Sequence, residues 1–347
     1  MNQEQPQQID LSVDAATRLK VIEYLLKHLP EYLFPEVGNQ MEKALRQRLQ
    51  SGEYDRITKA SVLAETLTAQ LQDISHDKHL EVFYSAEALP LWNAGQPTAE
   101  SLERDRQFYS LINFGFQKVE RLAGNIGYLE LHGFIDPEIA GSTAVAAMNF
   151  LANTSALIID LRHNGGGGPG MTTLIASYFF ETSEVTLVHL TNMLERPADT
   201  IYQWRTLPYV PGKRYTGKDV YILTSKETFS AAEDFTYNLK ALRRATIIGE
   251  TTGGGAHWGH RHRINDHFVV FIPTGRPINP ITQTNWEGVG VTPDIEVSAE
   301  LALKTAHLIA MNKLLPTSTQ PELIQELHEA IERVQIELEQ LKQKLNH

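Results

Sequence analysis

The stretch Ala156-Leu-Ile-Ile-Asp-Leu-Arg-His-Asn-Gly-Gly-Gly-Gly-Pro-Gly170 decides the fold. Its apolar start predicts a buried strand that ends at Asp160, and its glycine run predicts a tight loop. A helical pattern from Met171 to Phe180 follows directly. Further strand patterns lie at Gly127 to His132, Val185 to Leu190, Val220 to Thr224 and Ala245 to Gly249, and further helical patterns at Pro137 to Leu151 and Ala231 to Leu242. This alternation predicts an α/β fold with a largely parallel sheet, and a hairpin over Arg261 to Thr284 extends it.

The sequence before this core is helical. The spacing of its apolar residues predicts three short helices in a small antiparallel bundle, at Asp14 to Leu29, Val37 to Leu49 and Ala60 to Ile74. A β-like pattern from Leu80 to Tyr84 and a loop from Leu89 to Thr98 come next. We therefore divide the chain into a helical bundle over residues 1–75, an α/β core over 76–300 and a helical tail over 301–347.

The tail carries an apolar stripe at heptad spacing. The stripe consists of Ile324, Leu327, Ile331, Val334, Leu338, Leu341 and Leu345. A stripe of this kind needs a partner surface, and two partners are open. Either the helix packs back on the N-terminal bundle, or it forms a coiled coil that links subunits into a homo-oligomer.

Composition excludes several classes of protein. The 347 residues carry a formal net charge of −11, which repels phosphate backbones and anionic lipid heads, so we expect no nucleic-acid or membrane partner. The chain has 0 cysteines, which excludes a thiol nucleophile, a disulfide framework and a thiolate metal site. The first eight residues lack the basic and apolar regions of a signal peptide. We expect a cytoplasmic protein, or a periplasmic or secreted one if a leader was removed.

The glycine run allows three interpretations. Gly165, Gly167 and Gly170 satisfy G-x-G-x-x-G, which is the fingerprint of a dinucleotide site. That fingerprint also needs an acidic residue at the end of the next strand, and Val185 to Asn192 ends without one. Successive glycine amides can instead approach a developing negative charge, as in an oxyanion hole. The third interpretation is a turn without a ligand.

Ser230 follows a predicted strand and precedes a predicted helix. With Glu233 it forms S-x-x-E, the pattern of a capping box, so a structural role is open to it. The same position lies where ligands bind in open α/β sheets, and a helix N-terminus favours an oxyanion there. The pattern alone leaves helix cap and nucleophile both open.

Two groups of histidines and one loop carboxylate complete the candidates. His76 and His79 lie in Ser75-His-Asp-Lys-His79, and three more histidines follow the second glycine run, at His257, His260 and His262. The latter group lacks H-E-x-x-H spacing, and a hairpin alternates its side chains between two faces, so we expect no metal. Glu287 lies in a loop with turn residues, where it is either an ordinary solvated carboxylate or a functional one.

Taken together in chain order, these segments resemble the carboxy-terminal-processing (tail-specific) serine peptidase family. The resemblance is strongest to the branch of the interphotoreceptor retinoid-binding protein, which is akin to the tricorn core protease. The matching stretches are Ser75 to Leu80, Asp160 to Gly167, Thr228 to Glu233, Gly249 to His257 and Pro273 to Arg276 through Asn285 to Gly288. The resemblance implies a crotonase/ClpP-like ββα core behind a helical N-terminal domain. The segment between Tyr84 and Asn125 is too short for the PDZ module of many relatives.

The resemblance also implies roles for individual residues. It implies Ser230 as nucleophile, His79 as base and Glu287 as the supporting carboxylate, with an oxyanion hole from Ala231 and Gly166 or Gly167. His76 is the alternative candidate for the base, and His257 is a further candidate site residue. The catalytic lysine of tail-specific members falls on Gly255, so a Ser–Lys dyad is excluded here.

The implied function is hydrolysis of peptide bonds through an acyl-enzyme, with a peptide or protein as substrate and without a cofactor. A non-catalytic binding protein for a hydrophobic small molecule, such as a retinoid or fatty acid, is the alternative from the same resemblance. A nucleotide-dependent enzyme built on Gly165 to Gly170 is the third possibility.

Overall fold

The computed structural model describes residues 10–89, 99–181 and 186–345. Its strands are β1 (Glu81–Tyr84), β2 (Phe116–Leu122), β3 (Ile126–Leu131), β4 (Ala156–Asp160), β5 (His189–Glu195), β6 (Thr200–Arg205), β7 (Asp219–Thr224), β8 (Thr246–Gly249), β9 (Trp258–Arg263), β10 (Phe268–Ile278) and β11 (Ile295–Glu296). Its helices are α1 (Ala15–His28), α2 (Pro35–Gln50), α3 (Ala60–Ser75), α4 (Ala99–Ser110), α5 (Pro137–Leu151), α6 (Pro169–Ser177), α7 (Ala231–Ala241), α8 (Ala299–Leu314) and α9 (Pro321–Leu345). The predicted alternation of strands and helices is confirmed.

The chain forms two compact units that are not continuous in sequence. Among the described residues, unit 1 contains 10–89, 193–202 and 257–276, and unit 2 contains 99–181, 186–192, 203–256 and 277–345. Strands β5, β6 and β10 each run over a boundary between these segments. The units therefore differ from the linear division into bundle, core and tail that the sequence suggested.

Unit 2 is built on a six-stranded sheet in the order β11-β8-β7-β4-β3-β2. All neighbours in it are parallel except β2, which pairs with β3 in the antiparallel direction. Strand β4 is buried at all five residues because both faces of the sheet are covered. Leu157 and Ile159 point into one core with α5, α6 and α7, while Ala156 and Ile158 point into the other with α8 and α9.

Unit 1 combines the three predicted N-terminal helices with a second sheet. Helix α1 begins after Asp14, whose carboxylate accepts a hydrogen bond from the Thr17 amide at 2.7 Å. The second sheet has the order β1-β10-β5-β6, and β9 also pairs with β10. The antiparallel β9–β10 pair confirms a hairpin in this region, but it belongs to this second sheet and does not extend the parallel sheet as predicted. One core, with Leu25 and Leu67 from the helices and Val270 from β10, joins the bundle to this sheet.

The tail helix α9 packs on its own chain, but on a different surface from the one expected. Leu327, Ala330 and Val334 are buried in the core that also contains Ala306 and Met311 of α8. The helix therefore returns to α8 and the six-stranded sheet rather than to the N-terminal bundle. No helix in the described ranges is both long and apolar enough to span a membrane.

Three further differences from the sequence patterns have physical reasons. The strand expected over Val185 to Leu190 begins only at His189 and continues to Glu195, and the Val188 amide is bonded instead to the Thr206 hydroxyl at 2.9 Å. Helix α4 was not predicted because none of its residues is buried, so it has no apolar periodicity. Strand β2 was missed because it is an edge strand with mostly exposed or half-buried residues. The loop expected over 89–98 lies almost entirely outside the described residues.

The packing of α9 predicts a large loss of stability on truncation of its stripe. Leu327 has 0% of its surface exposed, so Leu327→Ala should lower the free energy of unfolding by about 2–5 kcal/mol in urea titrations. Ile336→Ala on the same helix is the control, because Ile336 is 54% exposed and should cost less than about 0.5 kcal/mol. Equal effects of the two substitutions would contradict the packing of the helix on α8.

Candidate active site

Ser230 occupies a strained turn between a strand and a helix. Strand β7 ends at Thr224, and α7 begins at Ala231 directly after the serine. The backbone of Ser230 has φ 56° and ψ −120°, a region that residues with a side chain rarely adopt. Strain of this kind persists only where the surroundings impose it, and it is concentrated at functional sites. A serine on a sharp strand-to-helix turn is also the arrangement that exposes the nucleophile in α/β hydrolases.

The glycine run after β4 lies directly against this serine. A Cβ atom on Gly166 would lie 2.8 Å from Ser230 Cβ and 3.0 Å from the Ala231 amide nitrogen. Gly167 is equally constrained, because its Cβ would lie 2.2 Å from the Phe134 carbonyl oxygen. Both glycines have positive φ, at 110° and 139°. The glycines are therefore required for close approach of two backbone segments, which a turn without a ligand does not need.

Asn164 fixes the glycine run and uses one of its amides. The Asn164 side-chain oxygen accepts from the Gly166 amide at 2.8 Å, and its side-chain nitrogen donates to the Leu131 carbonyl at 2.9 Å. Of the two glycines expected as oxyanion donors, Gly166 is therefore already engaged. Across the described ranges, the amides of Gly167 and Ala231 donate to no acceptor in the chain. These two amides are the donors that the site offers to a ligand.

Glu233 connects Ser230 to the second glycine run. Its carboxylate is fully buried and accepts four hydrogen bonds. The donors are the Ser230 amide at 2.9 Å, the Thr252 hydroxyl at 2.5 Å, the Gly254 amide at 2.6 Å and the Gly255 amide at 2.9 Å. Burial raises the pKa of Glu233, and these hydrogen bonds oppose the shift only in part. The sequence identified this residue as half of a capping box, which the Ser230 amide confirms, but gave no sign of the other three bonds.

Glu287 also holds this second glycine run, so its loop is not an ordinary solvated one. The Glu287 carboxylate accepts from the Ala256 amide at 2.5 Å. The indole nitrogen of Trp286, which is buried, donates to the Gly255 carbonyl at 2.8 Å. Residues 254–256 are thus bonded on one side to Glu233 and on the other to Trp286 and Glu287. The interpretation of Glu287 as a carboxylate in an ordinary solvent-exposed loop is wrong.

In unit 1, one of the candidate histidines is paired with a buried carboxylate. His257 Nδ1 lies 2.7 Å from Asp77 Oδ2, and both side chains are buried. Asp77 also accepts from the Tyr32 hydroxyl and from the His79 amide, each at 2.9 Å. Burial acts to raise the pKa of Asp77, but hydrogen bonding to and the charge of His257 hold that pKa below its usual value. Asp77 lies within the histidine motif of the sequence, although its role was not predicted.

The other histidines differ sharply in environment. Burial lowers the pKa of His79 to about 4, and the charge of Asp77 opposes that shift in part. The ring of His79 packs on Phe271, with ring centroids 5.8 Å apart. His76 is exposed and ends α3 in a left-handed conformation, with φ 56°. His76 is therefore accounted for as a helix cap.

The three histidines around β9 do not form one metal site. His257 is bonded to Asp77, whereas His260 is exposed and lies 3.5 Å from a Glu195 carboxylate oxygen. The ring of His262 neighbours that of His28, at 5.6 Å between centroids. Their separate partners agree with the alternation of side chains along a hairpin strand.

The arrangement in unit 2 is typical of α/β enzymes that carry a serine on a strand-to-helix turn. A strained serine, two unpaired amides and a helix N-terminus lie beyond the carboxyl ends of parallel strands, as in α/β hydrolases. Two sequence families match the chain: peptidase family S41 over residues 125–297, and the N-terminal domain of peptidase S41 in eukaryotic interphotoreceptor retinoid-binding protein over residues 13–120. The chain belongs to peptidase family S41. The resemblance and the fold class deduced from the sequence are confirmed.

Individual relatives are distant. The chloroplastic carboxyl-terminal-processing peptidase 2 of Arabidopsis thaliana is 28% identical over 171 residues, which are 49% of this chain and 31% of that protein. A tricorn protease homolog of Streptomyces coelicolor is 26% identical over 185 residues, which are 51% of this chain and 14% of that protein. The chain thus spans less than a third of the length of these curated relatives.

A solved structure shares the fold. The photosystem II D1 C-terminal processing protease superimposes with a TM-score of 0.50 at 13% identity, over 83% of this chain and 95% of that one.

The bonding of Glu233 predicts that its negative charge is needed for stability. Glu233→Gln keeps the shape but replaces one acceptor oxygen by a donor, so buried donors lose their partner. We expect the free energy of unfolding to fall by about 1–3 kcal/mol in urea titrations. Glu332→Gln on the exposed face of α9 is the control and should change it by less than about 0.5 kcal/mol. A variant at position 233 as stable as the wild type would contradict the four-bond arrangement.

The lowered pKa of His79 predicts a dependence of stability on pH. The folded protein binds this proton only near pH 4, whereas the unfolded chain binds it near 6.5, so acidification favours the unfolded state. Between pH 7 and pH 4 the wild type should lose up to ~3 kcal/mol more than His79→Leu, measured by urea unfolding at each pH. His76→Gln is the matched control and should keep the wild-type dependence. Parallel pH curves for wild type and His79→Leu would exclude a buried neutral His79.

Proposed function

We propose that this protein is a serine peptidase that cleaves peptide bonds through an acyl-enzyme on Ser230. One observation carries the proposal: the strained Ser230 lies against Gly166, beside the unpaired amides of Ala231 and Gly167. A free amide at the first helical residue, as at Ala231, is common to helix N-termini, but a helix cap needs neither the backbone strain of Ser230 nor the free amide of Gly167. Membership of peptidase family S41 supports the reaction class.

In the proposed reaction, Ser230 Oγ attacks the carbonyl carbon of the substrate while a base removes the hydroxyl proton. The carbonyl oxygen becomes an oxyanion, which the Ala231 and Gly167 amides and the N-terminus of α7 stabilise. Collapse of the intermediate breaks the C–N bond, and the leaving amine takes the proton from the base. Water then attacks the acyl-serine carbonyl while the base removes a proton from the water. The second intermediate collapses, the bond to Ser230 Oγ breaks, and Oγ takes the proton back from the base as the acid is released. Removal of one amide donor of this kind typically raises a barrier by ~2.7–4 kcal/mol.

The base in this proposal is His79, as the family pattern implies, with Glu287 as the supporting carboxylate. A pKa of about 4 keeps the His79 imidazole neutral at pH 7, which is the state that accepts a proton. His257 is the alternative base, because its Nδ1 is bonded to the buried Asp77 carboxylate. A carboxylate that orients an imidazole in this way is the third member of a catalytic triad.

We do not propose that the protein is a carrier of a hydrophobic small molecule or a dinucleotide-dependent enzyme. A carrier of a hydrophobic small molecule needs no strained serine next to free amides. A dinucleotide site would use the glycine amides for pyrophosphate, but the Gly166 amide is bonded to Asn164 and the Gly168 amide to the Phe134 carbonyl. Homo-oligomerisation through the C-terminal helix is also not part of the proposal, because Leu327 and Val334 in the middle of the α9 stripe are buried in a core with α8. The substrate is a peptide or protein.

The decisive test is intact-mass analysis after treatment with a peptidyl phosphonate or a fluorophosphonate. We expect one adduct on the wild type and none on Ser230→Ala. Ser298→Ala is the matched control, since Ser298 precedes α8 as Ser230 precedes α7, and it should label like the wild type. An adduct that persists in Ser230→Ala, or a wild type that never labels, would overturn the proposal.

The labelling reaction with the phosphonate also identifies the base that activates Ser230. Loss of the base should slow labelling by about 10²–10⁴-fold, so His79→Ala and His257→Ala are compared at pH 7. The pH dependence gives a second readout, because the base must be unprotonated. With His79 as base, the labelling rate falls only as the pH drops through about 4. Full labelling of His79→Ala, together with loss of labelling in His257→Ala, would assign the role to His257.

A further inference from the structure

Arg276 in unit 1 is a half-buried cation whose donors are not satisfied. It lies on β10, at the end of the Pro273-Thr-Gly-Arg276 stretch. Its guanidinium carbon is 5.7 Å from the centroid of the Phe34 ring. Its Nε atom is buried and has no hydrogen-bond acceptor in the part of the chain that the structure describes. A buried donor without a partner costs free energy, so its retention calls for an explanation.

The other half-buried arginines of unit 1 each have at least one acceptor, although the Arg263 Nε atom is also buried without one. Arg18 donates to the Val13 and Ile57 carbonyls, at 3.1 and 2.9 Å. Arg196 donates to the Tyr32 carbonyl at 3.2 Å, and Arg263 forms an ion pair with Asp266. Among described residues, no carboxylate lies within ion-pair distance of Arg276. Arg276 is therefore distinguished from these arginines because, among described residues, it has neither a carbonyl nor a carboxylate acceptor.

The contact with Phe34 explains only part of the position of Arg276. Stacking on an aromatic ring uses the face of the guanidinium, whereas its N–H groups lie in the plane and point outward. A structural cation–π pair thus leaves the two in-plane Nη groups, which unlike Nε are not fully buried, available to a ligand. Those donors have the spacing that matches the two oxygens of a carboxylate.

The surface next to Arg276 is suited to a peptide. Phe34 is 37% exposed and presents an apolar ring. The ring of His257, the histidine bonded to Asp77, contacts Phe34 edge-on, with centroids 5.6 Å apart and planes at 67°. A cation and a candidate catalytic imidazole therefore border the same exposed aromatic side chain within unit 1.

We propose that Arg276 binds a carboxylate of the peptide substrate, with Phe34 as the apolar floor of that subsite. The carboxylate belongs either to an acidic side chain or to the end of the peptide chain, and both present the same two oxygens. This inference rests on the proposed peptidase function, because it assigns the substrate class of that enzyme.

Binding is tested first in the Ser230→Ala protein, which holds peptides without cleaving them. Three randomised octapeptide mixtures are used for affinity selection with mass-spectrometric readout. One lacks acidic residues and has a free carboxyl end, one lacks them and is amidated, and one is amidated but contains Asp and Glu. We expect one or both carboxylate-bearing mixtures to be enriched at least about tenfold over the neutral one, with less enrichment at high salt.

Substitutions then assign the effect to Arg276. Arg276→Gln, made in the Ser230→Ala protein, should abolish the enrichment, and Arg276→Lys should retain part of it because it keeps the charge but not the planar fork. Arg261→Gln is the matched control, since Arg261 also stacks on a phenylalanine, Phe83 at 5.5 Å, but is exposed. If Arg276→Gln does not fold, the salt dependence of the parent protein and the behaviour of Arg276→Lys decide the question.

The outcomes separate the two proposals. Equal binding of all three mixtures, or enrichment that survives Arg276→Gln, overturns the carboxylate subsite even if Ser230 labels with the phosphonate. Enrichment that depends on Arg276 in a protein whose serine does not label supports the subsite and rejects the peptidase. The mixture that is enriched identifies the source of the carboxylate.

Discussion

One buried carboxylate holds the candidate active site of unit 2 together. Glu233 accepts hydrogen bonds from the amide of the proposed nucleophile and from three donors in residues 252–255. A carboxylate taken out of water must be compensated by donors, and here all of those donors come from backbone or hydroxyl groups that the fold must bring to it. The turn at Ser230 and the second glycine run therefore cannot relax independently. This constraint makes the unusual backbone of Ser230 sustainable.

The parallel sheet explains why the first glycine run and Ser230 lie next to each other. The first glycine run follows β4, and the serine follows β7, which is its parallel neighbour. Carboxyl ends of parallel neighbours lie at one edge of a sheet, so loops distant in sequence converge there. Asn164 completes the junction, because its side chain bonds both the end of β3 and the Gly166 amide, and its carbonyl accepts from the Phe229 amide. Three successive parallel strands thus place the glycines against the serine, and the Asn164 side chain holds them there.

Apolar periodicity in the sequence identified the helices and strands whose side chains form the cores. It did not identify elements that are mostly exposed, and it did not show which surface an apolar stripe packs on. Strand β4, with both faces covered, and helix α5 were found at their observed bounds. Helix α4 buries nothing, and strand β2 is mostly exposed, so neither leaves a pattern in the sequence. The stripe of α9 was recognised, but a stripe does not specify its partner, and the small residues of α8 that receive it, such as Ala306 and Ala310, are not distinctive.

The candidate site shows the same contrast between what residue type indicates and what only the folded structure shows. Ser230 and the glycines stood out by residue type, whereas the engagement of the Gly166 amide, the bonds of Glu233 and the pairing of Asp77 with His257 depend on long-range geometry that spacing does not encode.

The discontinuity of unit 1 has a consequence for the biosynthesis of the protein. A nascent chain that has emerged from the ribosome as far as Ser230 has already produced β1 and Asp77, but not residues 257–276. At that stage β1 has no β10 to pair with, and Asp77 has no His257. Contacts between residues so far apart in sequence also form slowly, because a long loop must close before they stabilise the chain. The β1–β10 pairing and the Asp77–His257 pair of unit 1 therefore form only after Ser230 has been synthesised.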